Sequence, residues 1–234
     1  MTVASERKIV IDPDGPYIVS GDIPLVRKTQ VVSEYGEPLT WKTEGRIPTS
    51  STGYDLCRCG HSQEKPFCDS THREVEWNSE EAADTGLTAQ RQETYPGTTG
   101  IVVRRDFSLC TNAGFCGTRM EGIAELAART DDTQVRSLVM AMIERCPSGS
   151  LTYTINNGEP DIEPDLPQEI AVTTEITSDG PIQGPLWVTG NIPIVRADGQ
   201  PFETRNRVTL CCCGRSSIKP LCDGAHREPE RHDE

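Results

Sequence analysis

The sequence predicts an α+β chain in which two β-rich repeats flank a small α/β segment. Three observations carry that reading. A block rich in β-branched residues, Gly and Pro occurs twice, and a cysteine–histidine pattern follows each copy. Between the copies the apolar periodicity changes from that of strands to that of helices.

The repeated block reads GPYIVSGDIPLV at 15–26 and GPLWVTGNIPIV at 184–195. Gly15/Gly184, Pro16/Pro185, Val19/Val188, Gly21/Gly190, Ile23/Ile192, Pro24/Pro193 and Val26/Val195 are identical pairs, with a weaker echo at Gly36/Gly199 and Pro38/Pro201. Such runs, punctuated by Gly and Pro, predict short strands and tight turns. The first copy carries extra residues somewhere within Arg27–Asp55, which read as loop growth. After the acidic run NSEEAADTG (78–86), GIVVRRD (100–106) predicts a strand, and two helical patterns follow near Met120–Arg129 and Thr133–Arg145. In the second, Val135, Leu138, Val139, Met142 and Ile143 recur at the spacing of one helix face. LTYTI (151–155) predicts a closing strand, and PDIEPDLPQE (160–169) a linker. The expected units are a first repeat at 1–77, an insert at 78–160, and a linker with the second repeat at 161–234.

Composition narrows the function classes. The 234 residues include 23 basic and 36 acidic side chains, a formal charge of −13, which argues against nucleic acid as a partner. Aromatic residues make up only 5%, beside 17 prolines and 20 glycines, which suits small cores assisted by metal sites. The start MTVASERKIVID has no apolar signal segment, and no stretch reaches the length needed to span a bilayer. The expectation is a cytoplasmic protein without a membrane partner, whose ten cysteines are metal ligands or redox groups rather than disulfides.

The cysteine patterns are CRCGHSQEKPFCDSTH at 57–72 and CCCGRSSIKPLCDGAH at 211–226. Superposed, Cys57, Cys59, Cys68 and His72 meet Cys211, Cys213, Cys222 and His226, while Cys212 falls on Arg58 and drops out of the pattern. Gly60/Gly214, Lys65/Lys219, Pro66/Pro220, Asp69/Asp223 and Arg73/Arg227 also coincide. Two thiolates from one tight turn can hold one metal atom, and a cysteine and histidine four residues apart can hold a second. A helix starting near Asp69 or Asp223 would aim N–H dipoles at the thiolates, and Lys65 and Lys219 would add positive charge. Three cysteines and one histidine are also a structural zinc set. His61 and His232 lie off the pattern and read as exposed, and Cys212 reads as a buried filler.

C-x-C-x8-C-D-x-x-H, with Pro two residues before the third cysteine, resembles the CDGSH iron–sulfur (mitoNEET-like) family. The resemblance implies one [2Fe–2S] cluster per copy, with Cys57 and Cys59 on one iron and Cys68 and His72 on the other. Cys211, Cys213, Cys222 and His226 repeat that set. The second copy keeps Cys-Asp-Gly-Ala-His, whereas the first has Ser70 and Thr71, so its turn is expected to be altered. The family's strand-swapped dimer implies that residues 1–77 and 170–234 fold together as an intramolecular pseudo-dimer, leaving the protein a monomer. A single histidine ligand places the expected potential between roughly −400 mV and the Rieske range.

In the insert, CTNAGFC (110–116) and CPSGSL (146–151) resemble the divergent mono-cluster ferredoxin domains, which share C-x5-C and the Arg-Cys-Pro-Ser-Gly found here at Arg145–Gly149. Cys110, Cys116 and Cys146 would supply three thiolates, enough for a [3Fe–4S] cluster. A [4Fe–4S] cluster would need a fourth ligand, water or a side chain such as Asn112, which stands where those domains often have histidine. The three sites use nine of ten cysteines and two of four histidines.

There is no convincing Ser/His/Asp set, phosphate loop or dinucleotide fingerprint, so no enzymatic activity is expected. The leading expectation is a multi-cluster electron carrier working with redox partner proteins. The alternatives are cluster delivery to apo-acceptors or redox and pH sensing, and, from a different class, a zinc-stabilised interaction module.

Overall fold

The computed structural model describes residues 6–156 and 158–228, so His232 lies outside the described residues. The first copy supplies β1 (Lys8–Ile11), β2 (Tyr17–Ser20), β3 (Leu25–Val32), β4 (Pro38–Ile47) and β5 (Gly53–Leu56). The insert supplies α1 (Thr88–Arg91), β6 (Glu93–Pro96), β7 (Val102–Arg105), α2 (Ile123–Ala127), α3 (Thr133–Arg145) and β8 (Leu151–Thr154). The second copy supplies β9 (Glu169–Thr177), β10 (Gly180–Thr189), β11 (Ile194–Val195) and β12 (Arg207–Leu210). The chain is mixed α+β and mostly sheet.

Two sheets are assembled from both copies. One runs β11-β1-β2-β5 and the other β12-β10-β9-β3-β4. Each copy therefore sends a strand into the sheet of the other. β11 lies parallel to β1 through Ile9↔Ile194 and Val10↔Val195. β3 lies parallel to β9 through Leu25↔Ile170 and Val26↔Ala171. Because Val19 and Val188 are repeat partners and pair with Ile9 and Ile170, these two parallel pairings are the same contact made twice. The Gly-Asp-Ile-Pro and Gly-Asn-Ile-Pro turns make the exchange possible, since Gly21 and Gly190 both have positive φ, at 79° and 76°. One apolar core results, with Ile9, Tyr17, Val19 and Leu25 packed among Ile170, Leu186, Val188 and Ile194.

The extra residues of the first copy are not loop. They extend β3 and form β4, a ten-residue strand added to the edge of the second sheet. Its residues PLTWKTEGRI are mostly exposed and lack an alternating apolar face, so the ladder with β3 rather than side-chain burial makes it a strand. This hairpin seats the insert: Gln30 Nε2 donates to Ala113 O at 3.1 Å, and Trp41 packs on Phe115 with ring centroids 5.6 Å apart.

The insert has its own core, in which Ile101, Val103, Ile123, Leu126, Val139, Ile143 and Tyr153 meet. The strands expected at 100–106 and 151–155 are present as β7 and β8, paired side by side, and α1 and β6 are additional. The helical pattern near 120–129 shrinks to α2, because Gly117 and Gly122 bridge and Thr118 turns the chain back before it. α3 runs as expected, starting where the Asp132 carboxylate accepts from the N–H groups of Gln134 and Val135. Of the linker expected at 160–169, Glu169 already opens β9 and the rest is pinned as well as irregular: Ile162 N–H donates to Tyr153 O at 2.7 Å, and Asn206 Nδ2 to Pro164 O at 2.8 Å.

Arg207 on β12 joins the insert to the second copy. It is fully buried, donates to the carbonyls of Ile143, Glu144 and Leu151, and pairs with Glu163 at 3.0 Å. Replacing Arg207 by Ala would leave three carbonyls and a carboxylate without their cation, a cost of about 3 kcal/mol or more. The expected result is a lower urea midpoint for the R207A protein and proteolytic cutting that begins within the insert. A midpoint shift worth less than about 1 kcal/mol would contradict this role.

Candidate metal centres

Both cysteine loops are built by the same local bonds. β5 and β12 end one residue before the first cysteine, where Cys57 N–H donates to Pro66 O at 2.9 Å and Cys211 N–H to Pro220 O at 2.8 Å. The third cysteine is returned beside the strand by Cys68 N–H to Asp55 O at 3.0 Å and Cys222 N–H to Thr209 O at 3.1 Å. Lys65–Pro66 and Lys219–Pro220 are both cis. The aspartate of each motif ties its loop across: Asp69 accepts from Gln63 N and Thr71 N, and Asp223 from Ser217 N and Ala225 N. Hydrogen bonds from Thr71 hold the Asp69 carboxyl well below the usual carboxylate range. Hydrogen bonds likewise outweigh desolvation to lower Asp223.

Only a single 3-10 turn, Thr71–Arg73 or Ala225–Arg227, stands where a helix was expected. The N–H groups that reach sulfur come from the loops: His61 N to Cys59 Sγ and Ser70 N to Cys68 Sγ, each at 3.4 Å. The expected alteration of the first turn does not occur. Ser70 takes φ 73°, close to the 92° of Gly224, so serine adopts the left-handed conformation that glycine fills in the second copy. Lys65 is exposed, whereas Lys219 is buried with its ammonium on Ser216 O.

The structure brings each predicted quartet together two and two. Cys57 and Cys59 Sγ lie 3.8 Å apart, and Cys68 Sγ is 3.3 Å from His72 Nδ1. In the second copy Cys211 and Cys213 Sγ are 3.7 Å apart, and Cys222 Sγ is 3.4 Å from His226 Nδ1. Among the described residues no three His, Cys, Asp or Glu side chains converge on one ion-sized point. Donors paired in this way fit a cofactor holding two metal atoms. Burial pushes up the thiols of Cys59, Cys68 and Cys222, so a metal that binds them must displace their protons. The mutual hydrogen bond of Cys211 and Cys213 holds Cys213 down, to about 5, and Cys211 up.

The two loops meet back to back. A Cβ on Gly60 would lie 2.4 Å from Cys213 O, and one on Gly214 would lie 2.2 Å from Cys59 O, both at positive φ. Tyr17 of the first copy donates its hydroxyl to Cys211 O at 2.7 Å. Arg58 and Cys212 do the same job in their respective copies. Arg58 Nε donates to Gly15 O at 2.9 Å, and Cys212 Sγ to the repeat-related Gly184 O at 3.2 Å. Cys212 is buried, and burial pushes its thiol up to about 12, which suits a packing role rather than ligation.

The copies differ at histidine. His226 Nε2 is 2.8 Å from Glu175 Oε2, a fully buried carboxylate that also pairs with Arg227 at 2.8 Å. His72 has only Cys68 as a hydrogen-bond neighbour among the described residues. Glu175 fixes the ring with Nδ1 toward the thiols, as a carboxylate behind a metal-binding histidine does. Sequence comparison of the copies could not find it, because Glu175 lies in the β9–β10 hairpin, which is longer than its β1–β2 counterpart.

In the insert, Cys110, Cys116 and Cys146 line one cavity of about 150 Å³. Burial raises the Cys116 thiol, with Arg105 lowering it and Cys110 and Cys146 raising it further, so the three sulfurs are electrostatic neighbours. Thr111 Oγ1 and Arg105 Nε on the same cavity wall are buried without a hydrogen-bond partner. Three thiols, two unused donors and a cavity suit a sulfide-rich cluster, whose inorganic sulfurs accept hydrogen bonds.

Glu175→Gln is expected to loosen the second quartet selectively, by roughly 10–100-fold in metal affinity. On the metal-loaded protein, chelator-driven bleaching should show a slower phase from the second copy that Glu175→Gln accelerates. Unchanged bleaching would remove Glu175 from the account.

No curated protein and no solved structure matches the chain. Residues 14–73 and 183–227 match the family described as iron-binding zinc finger, CDGSH type, and residues 98–156 match the one described as divergent 4Fe-4S mono-cluster. The matched segments contain every cysteine and histidine of the three donor sets, two CDGSH-type segments with a divergent 4Fe-4S mono-cluster segment set between them.

Proposed function

We propose that the chain is an iron–sulfur electron carrier with three centres. Cys57, Cys59, Cys68 and His72 hold one [2Fe–2S] cluster, and Cys211, Cys213, Cys222 and His226 a second. Cys110, Cys116 and Cys146 hold a [3Fe–4S] cluster, or a [4Fe–4S] cluster with one further ligand, in a ferredoxin-like insert. The copies form an intramolecular pseudo-dimer, a reading supported by the reciprocal β1·β11 and β3·β9 pairing. The protein acts as a monomer in the cytoplasm, hands electrons to and from redox partner proteins, and performs no substrate chemistry.

The observation that carries this reading is the two-and-two pairing of sulfur and nitrogen donors in both copies. Bound clusters would supply one-electron storage. The chain's own part is to exclude water, hold the thiols deprotonated once metal is present, and aim each histidine Nδ1 at the site. Backbone N–H groups of His61 and Ser70 stabilise negative charge on sulfur.

Cluster delivery to an apo-acceptor is the second reading, favoured by His72, behind which no carboxylate stands among the described residues. On that reading the first copy is the donor and the second the retained centre.

Iron, zinc and acid-labile sulfide per chain, measured on protein purified without oxygen, test the cofactor set. About seven iron is expected for a [3Fe–4S] insert and about eight for a [4Fe–4S] insert. Zinc with little iron after iron-replete expression would overturn the proposal in favour of an interaction module.

A further inference from the structure

The insert touches the second copy at the metal-binding loops themselves. Asn112, two residues after Cys110, donates its side-chain amide to Asp223 O at 3.2 Å, and Asp223 directly follows Cys222. The approach is close enough that a Cβ on Gly224 would lie 3.0 Å from Thr111 O and 3.1 Å from Asn112 Nδ2. A second donor of the insert, Cys146, is held from the same side. Arg207 grips the carbonyls of Ile143 and Glu144, just before Cys146, from a strand that ends at Leu210, the residue before Cys211. With the first copy, the insert's contacts instead reach the β3–β4 hairpin, at Gln30, Pro38 and Trp41, and Asp14, through Ser79.

We propose that the 110–112 and 222–224 loops form a built electronic contact, so that the second copy is the junction between the insert and the first copy. The inference rests on the three-centre reading above. From Cys110 the contact is reached within about 7 Å of extended chain, and from Cys222 within about 4 Å. From the second copy to the first, the Gly60 and Gly214 backbone contacts join Cys213 to Cys59. With clusters bound, the exchange would move one electron: the insert's centre would be oxidised by one as the second copy's centre was reduced by one, with no bond or proton moved. An external one-electron donor, such as a reduced flavoprotein or low-potential ferredoxin, fills the chain of sites.

The experiment is electron paramagnetic resonance on the loaded full-length protein, reduced stepwise with dithionite. His72→Cys and His226→Cys assign the two [2Fe–2S] signals by the g-value shift each causes, and either variant alone suffices. When the insert's centre changes spin state, the half-saturation power of the second copy's signal should rise well above that of the first copy's. An equal rise in both signals, a rise only in the first copy's, or none in either overturns the junction while leaving the three-centre reading intact. Full iron and sulfide in both copies with none in the insert overturns it too. Absence of iron and sulfide from the whole chain sinks the underlying reading instead.

Discussion

The architecture depends on one steric constraint, the backbone-to-backbone approach of the two cysteine loops at Gly60 and Gly214. Each glycine faces the carbonyl of the cysteine that precedes its counterpart, at distances no Cβ could occupy. The approach is available only because each copy lends a strand to the other, which fixes the two ligand loops on one common core. A separate two-copy assembly would depend on concentration for this contact; a single chain has it built in.

On that shared frame the copies have diverged in ways that matter chemically. Arg58 and Cys212 satisfy repeat-related glycine carbonyls with different side chains, one a cation and one a neutral thiol, so the two sites do not carry the same local charge. Glu175 stands behind His226 and nothing equivalent stands behind His72 among the described residues. The extra hairpin of the first copy and Arg207 of the second hold the insert from two sides. Its cysteine cavity is thereby kept against the second copy's ligand loop, so the insertion adds a position as well as a domain.

Much of the site was legible in the sequence because its information is local. The spacing of two cysteines, a proline, an aspartate and a histidine sets the loop by short-range hydrogen bonds, and doubling the motif removed Cys212 from the candidates. What escaped is what depends on distant partners. β4 is polar and mostly exposed, so only its ladder with β3 makes it a strand. Glu175, Tyr17 and Arg207 reach the sites from strands far along the chain and leave no mark in the repeat. Ser70 was misjudged for a different reason: its tight turn is over-determined by the Asp69 bonds, which hold serine where glycine would sit at lower cost.

Native mass spectrometry of the intact, anaerobically purified chain tests the central claim most directly, because it weighs the cofactors and counts the subunits at once. The account requires a monomer carrying two [2Fe–2S] units plus one larger iron–sulfur unit. A chain carrying only zinc, or one that gathers its clusters solely as a homodimer, would contradict it.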